Sequence, residues 1–388
     1  MRVVYISPYY SPSVGGIERF CQAIATEMLR LGNEVHVVTK AIEGKSSREE
    51  IDGVKIHRVD PLFQYSKAVI VPDIQKKLKE LSPDVIHIQG PAPGMENFVS
   101  RNDKTQIVMT CHTDLTLDST MTYKILSSAY RRFVFPKVLS KLDAIVLLSE
   151  AFKYTSKFSK LFARSKPNFI KIIPNAVDIE VFSPGYKSKM EYKKDLNVNS
   201  RFFGTFVASM EPLHYYKGAE YLLHAISQLQ DLDITFSFIG EGELKFKYIE
   251  LAKVLGISDR VSFPGHGDNK LLLKHYRAAD VLVLPSISTA ETQGIVLIEA
   301  MACGTPVITT KIHGPMEVVT EGYNGYTVTP RDPKGLASAI RAILSDDKRL
   351  SQMQINARKE AVEKYSWKKI ITEYLKLYKN NDRIKTEI

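Results

Sequence analysis

The densest run of residues able to do chemistry is Glu291-Thr-Gln-Gly294-Ile295-Val-Leu-Ile-Glu299-Ala-Met-Ala-Cys-Gly304-Thr-Pro306-Val-Ile. Glu291 falls in the loop after the apolar run 281–285, at the carboxyl end of an expected strand, where open α/β sheets place their ligands. Glu299 lies inside the following helix, about two turns further on. A carboxylate there can accept hydrogen bonds from two vicinal hydroxyls, as on a ribose. The amides of Gly294 and Ile295 open the helix and suit a phosphate or a polar sugar. Two solvated glutamates beside a core helix would be the plain alternative, but Glu299 interrupts the apolar run 295–302.

A second turn has similar chemistry. Ser11-Pro-Ser-Val-Gly15-Gly16-Ile-Glu-Arg joins the first expected strand to the first helix. Two glycines there let a backbone approach a ligand, and the helix start offers free N–H groups to an anion. The pattern is not GxGxxG, so it does not point to NAD, and a plain tight turn would have the same composition. Asp231-Leu-Asp233 has the spacing of a metal-dependent transferase but sits in a helix-to-strand turn, the wrong end of the strand for a ligand. The histidines form no HxxxH or HExxH pattern. Cys21, Cys111 and Cys303 are widely spaced, without CxxC, and read as buried free thiols. No metal site is expected.

The elements that must hold these residues follow from periodicity. Runs 2–7, 34–39, 85–88, 106–111 and 144–149 read as strands, and 17–31 as a helix with Ile17, Phe20, Ile24, Met28 and Leu31 on one face and Gly32 as its stop. The rhythm restarts with strands at 203–208, 235–240, 261–263, 281–285 and 306–309. Helices at 218–230, 244–255, 271–279 and 296–303 intervene, and 360–378 forms a last helical stretch. Strand followed by helix, repeated, means parallel sheets covered on both faces. The expected fold class is therefore α/β, and a chain of 388 residues suits two domains. Their expected limits are 1–182 and 201–365, with a polar connector at 183–200 and a closing helix and tail at 366–388.

Composition narrows the setting. No apolar run approaches the roughly 20 residues that span a bilayer. The first residues read as a strand rather than a secretory signal, so a cytoplasmic protein is expected. The net charge is +10. Residues 121–171 carry eleven basic residues, among them Lys124, Arg131, Arg132, Arg164 and Lys166, against Asp143 and Glu150 alone, so nearly the whole excess sits in one segment. Its mixture of cations with Leu, Ile, Tyr and Phe suits the inner face of an anionic membrane. An ordinary domain face is the alternative. Nucleic acid is not expected, because no recognised binding motif accompanies the charge.

Taken in order, these pieces resemble a known family. Glu-x7-Glu followed by Ala-Met-Ala-Cys-Gly-Thr-Pro-Val looks like the hallmark of the retaining family-4 glycosyltransferases (glycosyl transferase group 1) of the GT-B fold. Gly15-Gly16, His112, Ile173-Pro-Asn175-Ala-Val-Asp178, Lys217-Gly218, Gly240-Glu-Gly242, Gly322-Tyr-Asn-Gly325 and Tyr365-Ser-Trp367 fall in the same order, so the resemblance covers residues 1 to about 375.

The resemblance implies two Rossmann-like domains across a central cleft, acceptor side first and nucleotide-sugar side second, with a last helix crossing back to the N-terminal domain. It implies that Glu299 binds the donor ribose and that Glu291 sits by the donor sugar and diphosphate. Lys217, with the amides of Gly15 and Gly16, would neutralise the leaving diphosphate in place of a metal. Gly242 and Gly265 would lie near the base, and His112 beside the reacting sugar. The donor would be a UDP- or GDP-sugar, the acceptor a glycan or glycolipid, and the hexose would be transferred with retention. No further cofactor is implied. Three positions depart from the pattern. No Arg precedes Lys217, where His214 stands instead; Asn-Gly at the junction is Asn175-Ala176; and a usual Phe is Gln293. A sugar-nucleotide epimerase of the same fold, or a non-catalytic sugar-nucleotide binder, would share much of this pattern.

Overall fold

Val3, Val4, Tyr5 and Ile6 are all fully buried. A strand covered on both faces must lie inside its sheet, and β1 (Arg2–Ile6) does. The computed structural model describes residues 1–13, 15–42, 46–65, 68–113, 121–163, 169–265 and 269–379, in two compact units. The first unit comprises Met1–Asn175 and Lys368–Ile388, the second Ala176–Trp367.

In the first unit β1 is joined by β2 (Glu34–Lys40), β3 (Ser47–Ile51), β4 (Val54–Val59), β7 (Val85–Gly90), β8 (Gln106–Cys111), β9 (Ala144–Leu147) and β10 (Ile170–Ile172). A separate hairpin pairs β5 (Phe63–Tyr65) with β6 (Ala68–Ile70). The sheet order is β10-β9-β8-β7-β1-β2-β4-β3. Every pairing is parallel except the outer pair β3/β4, whose turn Asp52-Gly53 has positive φ at both residues, as a tight hairpin requires. From β1 the chain builds first toward β2 and then, from β7 onward, in the other direction. Its switch point is β1/β7. The helix Gly16–Arg30 buries Phe20, Cys21, Ile24, Ala25 and Met28, but Leu31 stands one residue past it and is 51% exposed.

The second unit carries one wholly parallel sheet, β13-β12-β11-β14-β15-β16. Its strands are β11 (Phe202–Val207), β12 (Ile234–Ile239), β13 (Val261–Gly265), β14 (Val281–Leu284), β15 (Val307–Thr310) and β16 (Gly325–Val328). Its switch point is β11/β14. The polar stretch after Pro184 carries the helix Lys189–Asp195, started by a capping box between Ser188 and Glu191.

The last helical stretch is broken at Ser366, whose backbone is extended, into Asp347–Tyr365 and Trp367–Lys379. The second of these helices crosses back to the first unit. There its Tyr374 hydroxyl pairs with Thr110 Oγ1 at 3.1 Å, Tyr378 with His87 Nδ1 at 2.5 Å, and Gln106 Nε2 donates to the Leu377 carbonyl at 2.9 Å.

The basic segment folds as the helix Met121–Ala129, a π-helical turn at Tyr130–Val134 and the helix Phe135–Leu139. Phe135 and Val138 are buried while Ile125, Leu126 and Phe133 are more than half exposed. Arg164 and Lys166 lie outside the described residues.

Candidate functional site

In the second unit the chain leaves β11 through a 3₁₀ turn, Pro212–Lys217, that also carries His214 and ends on Gly218. Gly218 has φ +78°, and a Cβ there would stand 2.1 Å from the Pro285 carbonyl oxygen at the end of β14. Only glycine lets the two strand ends approach this closely. The approach brings Lys217 onto Glu291: Nζ donates to Oε2 at 2.5 Å, and Ser286 Oγ donates to the same oxygen at 3.2 Å. The Lys217 side chain is 20% exposed and that of Glu291 8%. Burial alone would lower the lysine; the Glu291 carboxylate outweighs it and holds the ammonium above its usual range. The pair therefore spans the switch point as a fixed, desolvated cation and anion.

The loop carrying Glu291 ends on Gly294, which has φ +79° and starts the helix Ile295–Ala302 without a side-chain cap. The first amides of that helix, Ile295 among them, are thus held by no capping side chain. Glu299 is buried on the same helix, and the fully buried Tyr276 donates its hydroxyl to Oε2 at 2.8 Å. Gly242 follows β12 with its backbone packed on Met210, and Gly265 ends β13 beside the Glu241 carboxylate. Lys217, Glu291, Gly294, Gly242 and Gly265 lie at or just past the carboxyl ends of the parallel strands.

In the first unit Gly15 is the extended N-cap of the helix Gly16–Arg30. The Glu18 carboxylate folds against Gly15, while a Cβ on Gly16 would meet nothing within 4 Å. Sequence reading did not single out Glu18, which supplies a negative charge in the first helical turn. His112 directly follows β8, and its amide donates to the Gly90 carbonyl at 2.8 Å. Its Nε2 lies 2.7 Å from Gln89 Oε1, and its ring meets Phe20 edge-on at 5.0 Å between centroids. Burial pushes its pKa down to about 3, so the imidazole is neutral. On the loop after β7 the fully buried Glu96 accepts from the Ala92 amide at 2.7 Å, and burial pushes it up to about 8. Gln89 and Glu96 were also missed. The alternation His87, Gln89 along β7 is a sequence signal for the first of these alone.

Asp231 and Asp233 lie at the amino end of β12. Asp231 pairs with Arg341, and Asp233 accepts from the Arg201 amide at 2.8 Å. Among the described residues no three His, Cys, Asp or Glu side chains cluster to hold a metal. All three cysteines are buried, and none is in a disulfide. Among the described residues no helix is long and apolar enough to cross a membrane.

Two family profiles match the chain, Glycosyltransferase Family 4 over residues 14–181 and Glycosyl transferases group 1 over residues 193–360. The chain is 28% identical to an uncharacterized glycosyltransferase of Methanocaldococcus jannaschii, covering 98% of each. It is 26% identical to the phosphatidyl-myo-inositol mannosyltransferase of Mycobacterium leprae, covering 97% of this chain and 96% of that one. Among solved structures, sucrose-phosphate synthase from Thermosynechococcus elongatus superposes with a TM-score of 0.78 at 22% identity, covering 97% of this chain and 98% of that one. HepE from Anabaena, in complex with UDP and glucose, superposes with a TM-score of 0.75 at 20% identity, covering 97% and 99%. By these matches and its two Rossmann-like units, the chain belongs to the family-4 glycosyltransferases of the GT-B fold.

Proposed function

We propose that this glycosyltransferase moves a hexose from a UDP- or GDP-sugar to a hydroxyl of a glycan or lipid-linked acceptor, with retention and without a metal. The Lys217–Glu291 pair beside the uncapped helix start at Gly294 carries this reading. Breaking a sugar–phosphate bond develops oxocarbenium character on the sugar and negative charge on the departing diphosphate. A fixed ammonium and aligned amides stabilise that charge where it forms, with no reorganisation at the moment of reaction. Glu299, held by Tyr276, accepts from the ribose hydroxyls; Gly242 and Gly265 leave room for the base. Glu291 orients Lys217 and faces the sugar. His112 of the first unit is assigned to the reacting sugar, and the open backbone of Gly16 to the diphosphate, on the family resemblance. Retention follows from front-face attack, with the departing phosphate helping to take the acceptor proton. The UDP and glucose in the HepE complex agree with this donor class.

A thermal-shift panel of UDP, GDP, ADP and their sugar conjugates tests the reading. A ligand at ~100 times its Kd stabilises the fold by about 2.7 kcal/mol. A shift with one nucleotide, lost in Glu299→Ala, is expected; none with any of them would count against it. Conversion of the donor sugar without acceptor would favour an epimerase instead.

The surface of the basic segment favours a lipid-linked acceptor at an anionic membrane. Ile125, Leu126 and Phe133 are exposed beside Lys124 and Arg132, the pairing of apolar and cationic groups that suits a lipid headgroup boundary. The relative from Mycobacterium leprae bears a phospholipid in its name.

A further inference from the structure

We propose that Gln89 is the positioning residue for His112, accepting from its Nε2–H and so fixing one imidazole tautomer, with Nδ1 as the ring's acceptor. The inference rests on the role given to His112 above. The two side chains leave the carboxyl ends of neighbouring parallel strands, where the register sets Gln89 beside Thr110 and Gly90 beside Cys111. The Nε2···Oε1 separation is 2.7 Å, and Gln89 is 1% and His112 8% exposed. Water cannot substitute for either partner in such a place, so the bond decides which ring nitrogen carries the proton. Two further contacts fix the ring plane. The His112 amide is tied to Gly90, and Phe20 meets the ring edge-on while itself lying 6.3 Å from Tyr374 of the returning helix.

The other titratable groups of this corner are His87 below it, Glu96 on the loop after β7, Cys111 next in the chain and Tyr374. Burial keeps His87, Glu96 and Tyr374 in their neutral forms at neutral pH, so none of these three supplies a persistent charge. Gln89 Nε2 and Glu96 Oε1 are both buried and without a partner among the described residues. The neutral Gln89 amide accepts from His112 without drawing a second proton onto it. A carboxylate in its place would stabilise the imidazolium instead.

The test is the tautomer of His112, read by nitrogen NMR on the histidine-labelled full-length protein and assigned with His112→Gln. Wild type is expected to carry the proton on Nε2 and to stay neutral from about pH 5 to pH 8. Gln89→Leu should lose the single tautomer and lower kcat about 10- to 100-fold, while its nucleotide-induced thermal shift, which reports on the second unit, is kept. Gln89→Glu should retain the Nε2 proton and raise the ionisation of His112 into the measured range. A proton on Nδ1 in wild type, or an unchanged tautomer in Gln89→Leu, would overturn the proposal. A changed tautomer with unchanged kcat would overturn its bearing on the reaction. Absence of transfer by wild type with every donor would tell against the transferase chemistry proposed above, while the NMR result still decides the pairing itself.

Discussion

Lys217 Nζ and Glu291 Oε2 lie 2.5 Å apart across 74 residues of sequence. One follows β11 and the other β14, the two strands between which the second sheet changes its direction of building. Removing the lysine would leave a largely buried carboxylate with Ser286 as its remaining neighbour. We expect Lys217→Met to lower kcat/KM about 10²- to 10³-fold and stability by roughly 3 kcal/mol. Glu291→Gln, which keeps an acceptor for Ser286 and Lys217, should cost clearly less stability. Steady-state kinetics and urea midpoints decide the matter; equal losses of stability would mean the pair is not coupled as described.

Tyr276 is fully buried and spends its hydroxyl on Glu299. Tyr276→Phe should cost about 1–2 kcal/mol and raise KM for the donor, with kcat less affected, because Glu299 loses its orientation. Donor kinetics at saturating acceptor would show it. A fall in kcat alone would place Glu299 at the reacting bond rather than at the ribose.

Two glycines should behave in opposite ways. Gly218→Ala drives a Cβ onto the Pro285 carbonyl at positive φ and should destabilise the fold by about 2 kcal/mol or more. Gly16→Ala meets open space in the first helical turn and should leave stability unchanged or slightly higher. If Gly16→Ala folds normally yet loses activity, the glycine serves approach of the donor diphosphate; full activity would remove it from the site.

Stability should fall toward acid pH. Burial holds His87 and His112 near pKa 3, against 6.5 for an unperturbed histidine. The unfolded chain then binds more protons below 6.5. Their contribution is complete above that pH and is lost progressively as pH falls toward 3, by up to about 1.4 kcal/mol per pH unit for each. Glu96 runs the other way: pushed up to about 8 from 4.5, its contribution is complete below 4.5 and is lost as pH rises toward 8. Urea midpoints across this range should therefore flatten at the acid limb in His87→Gln and at the alkaline limb in Glu96→Gln. Parallel curves for all three proteins would refute the assignment.

Ile125→Asn combined with Phe133→Ser removes two exposed apolar side chains from the basic face and touches no buried one. Sedimentation with anionic vesicles should show binding by wild type and a loss of about tenfold or more in the double variant. Binding unaffected by the substitutions would mean charge alone holds the protein at the vesicle surface. No binding by wild type at low salt would sink the membrane reading.

Much of the fold was legible in the chain because its signals are local. Buried parallel strands must be apolar along their whole length, and 85–88, 106–111 and 281–285 announce themselves that way. Helix starts were marked by Gly15-Gly16 and Gly294, and the ligand-bearing end of each strand followed from strand-then-helix order alone. Where local signals weaken, the reading lost detail. The charged edge strand β3 (Ser47–Ile51) has no apolar face to reveal it, although Asp52-Gly53 marks its hairpin. The periodicity runs 360–378 together as one helical stretch, and it was the expected closing helix from 366 that marked the break at Ser366.

By itself the sequence determined an α/β protein of two nucleotide-fold units and the set of residues that could handle a phosphorylated sugar. Tertiary structure alone decided which of them meet. Lys217 finds Glu291 because β11 and β14 are neighbours in the sheet but not in the chain. Tyr276 finds Glu299 through two helices, and Gln89 finds His112 across two parallel strands. Such pairings depend on sheet order and register, which are set by packing over the whole unit, so no window of sequence around either partner contains them.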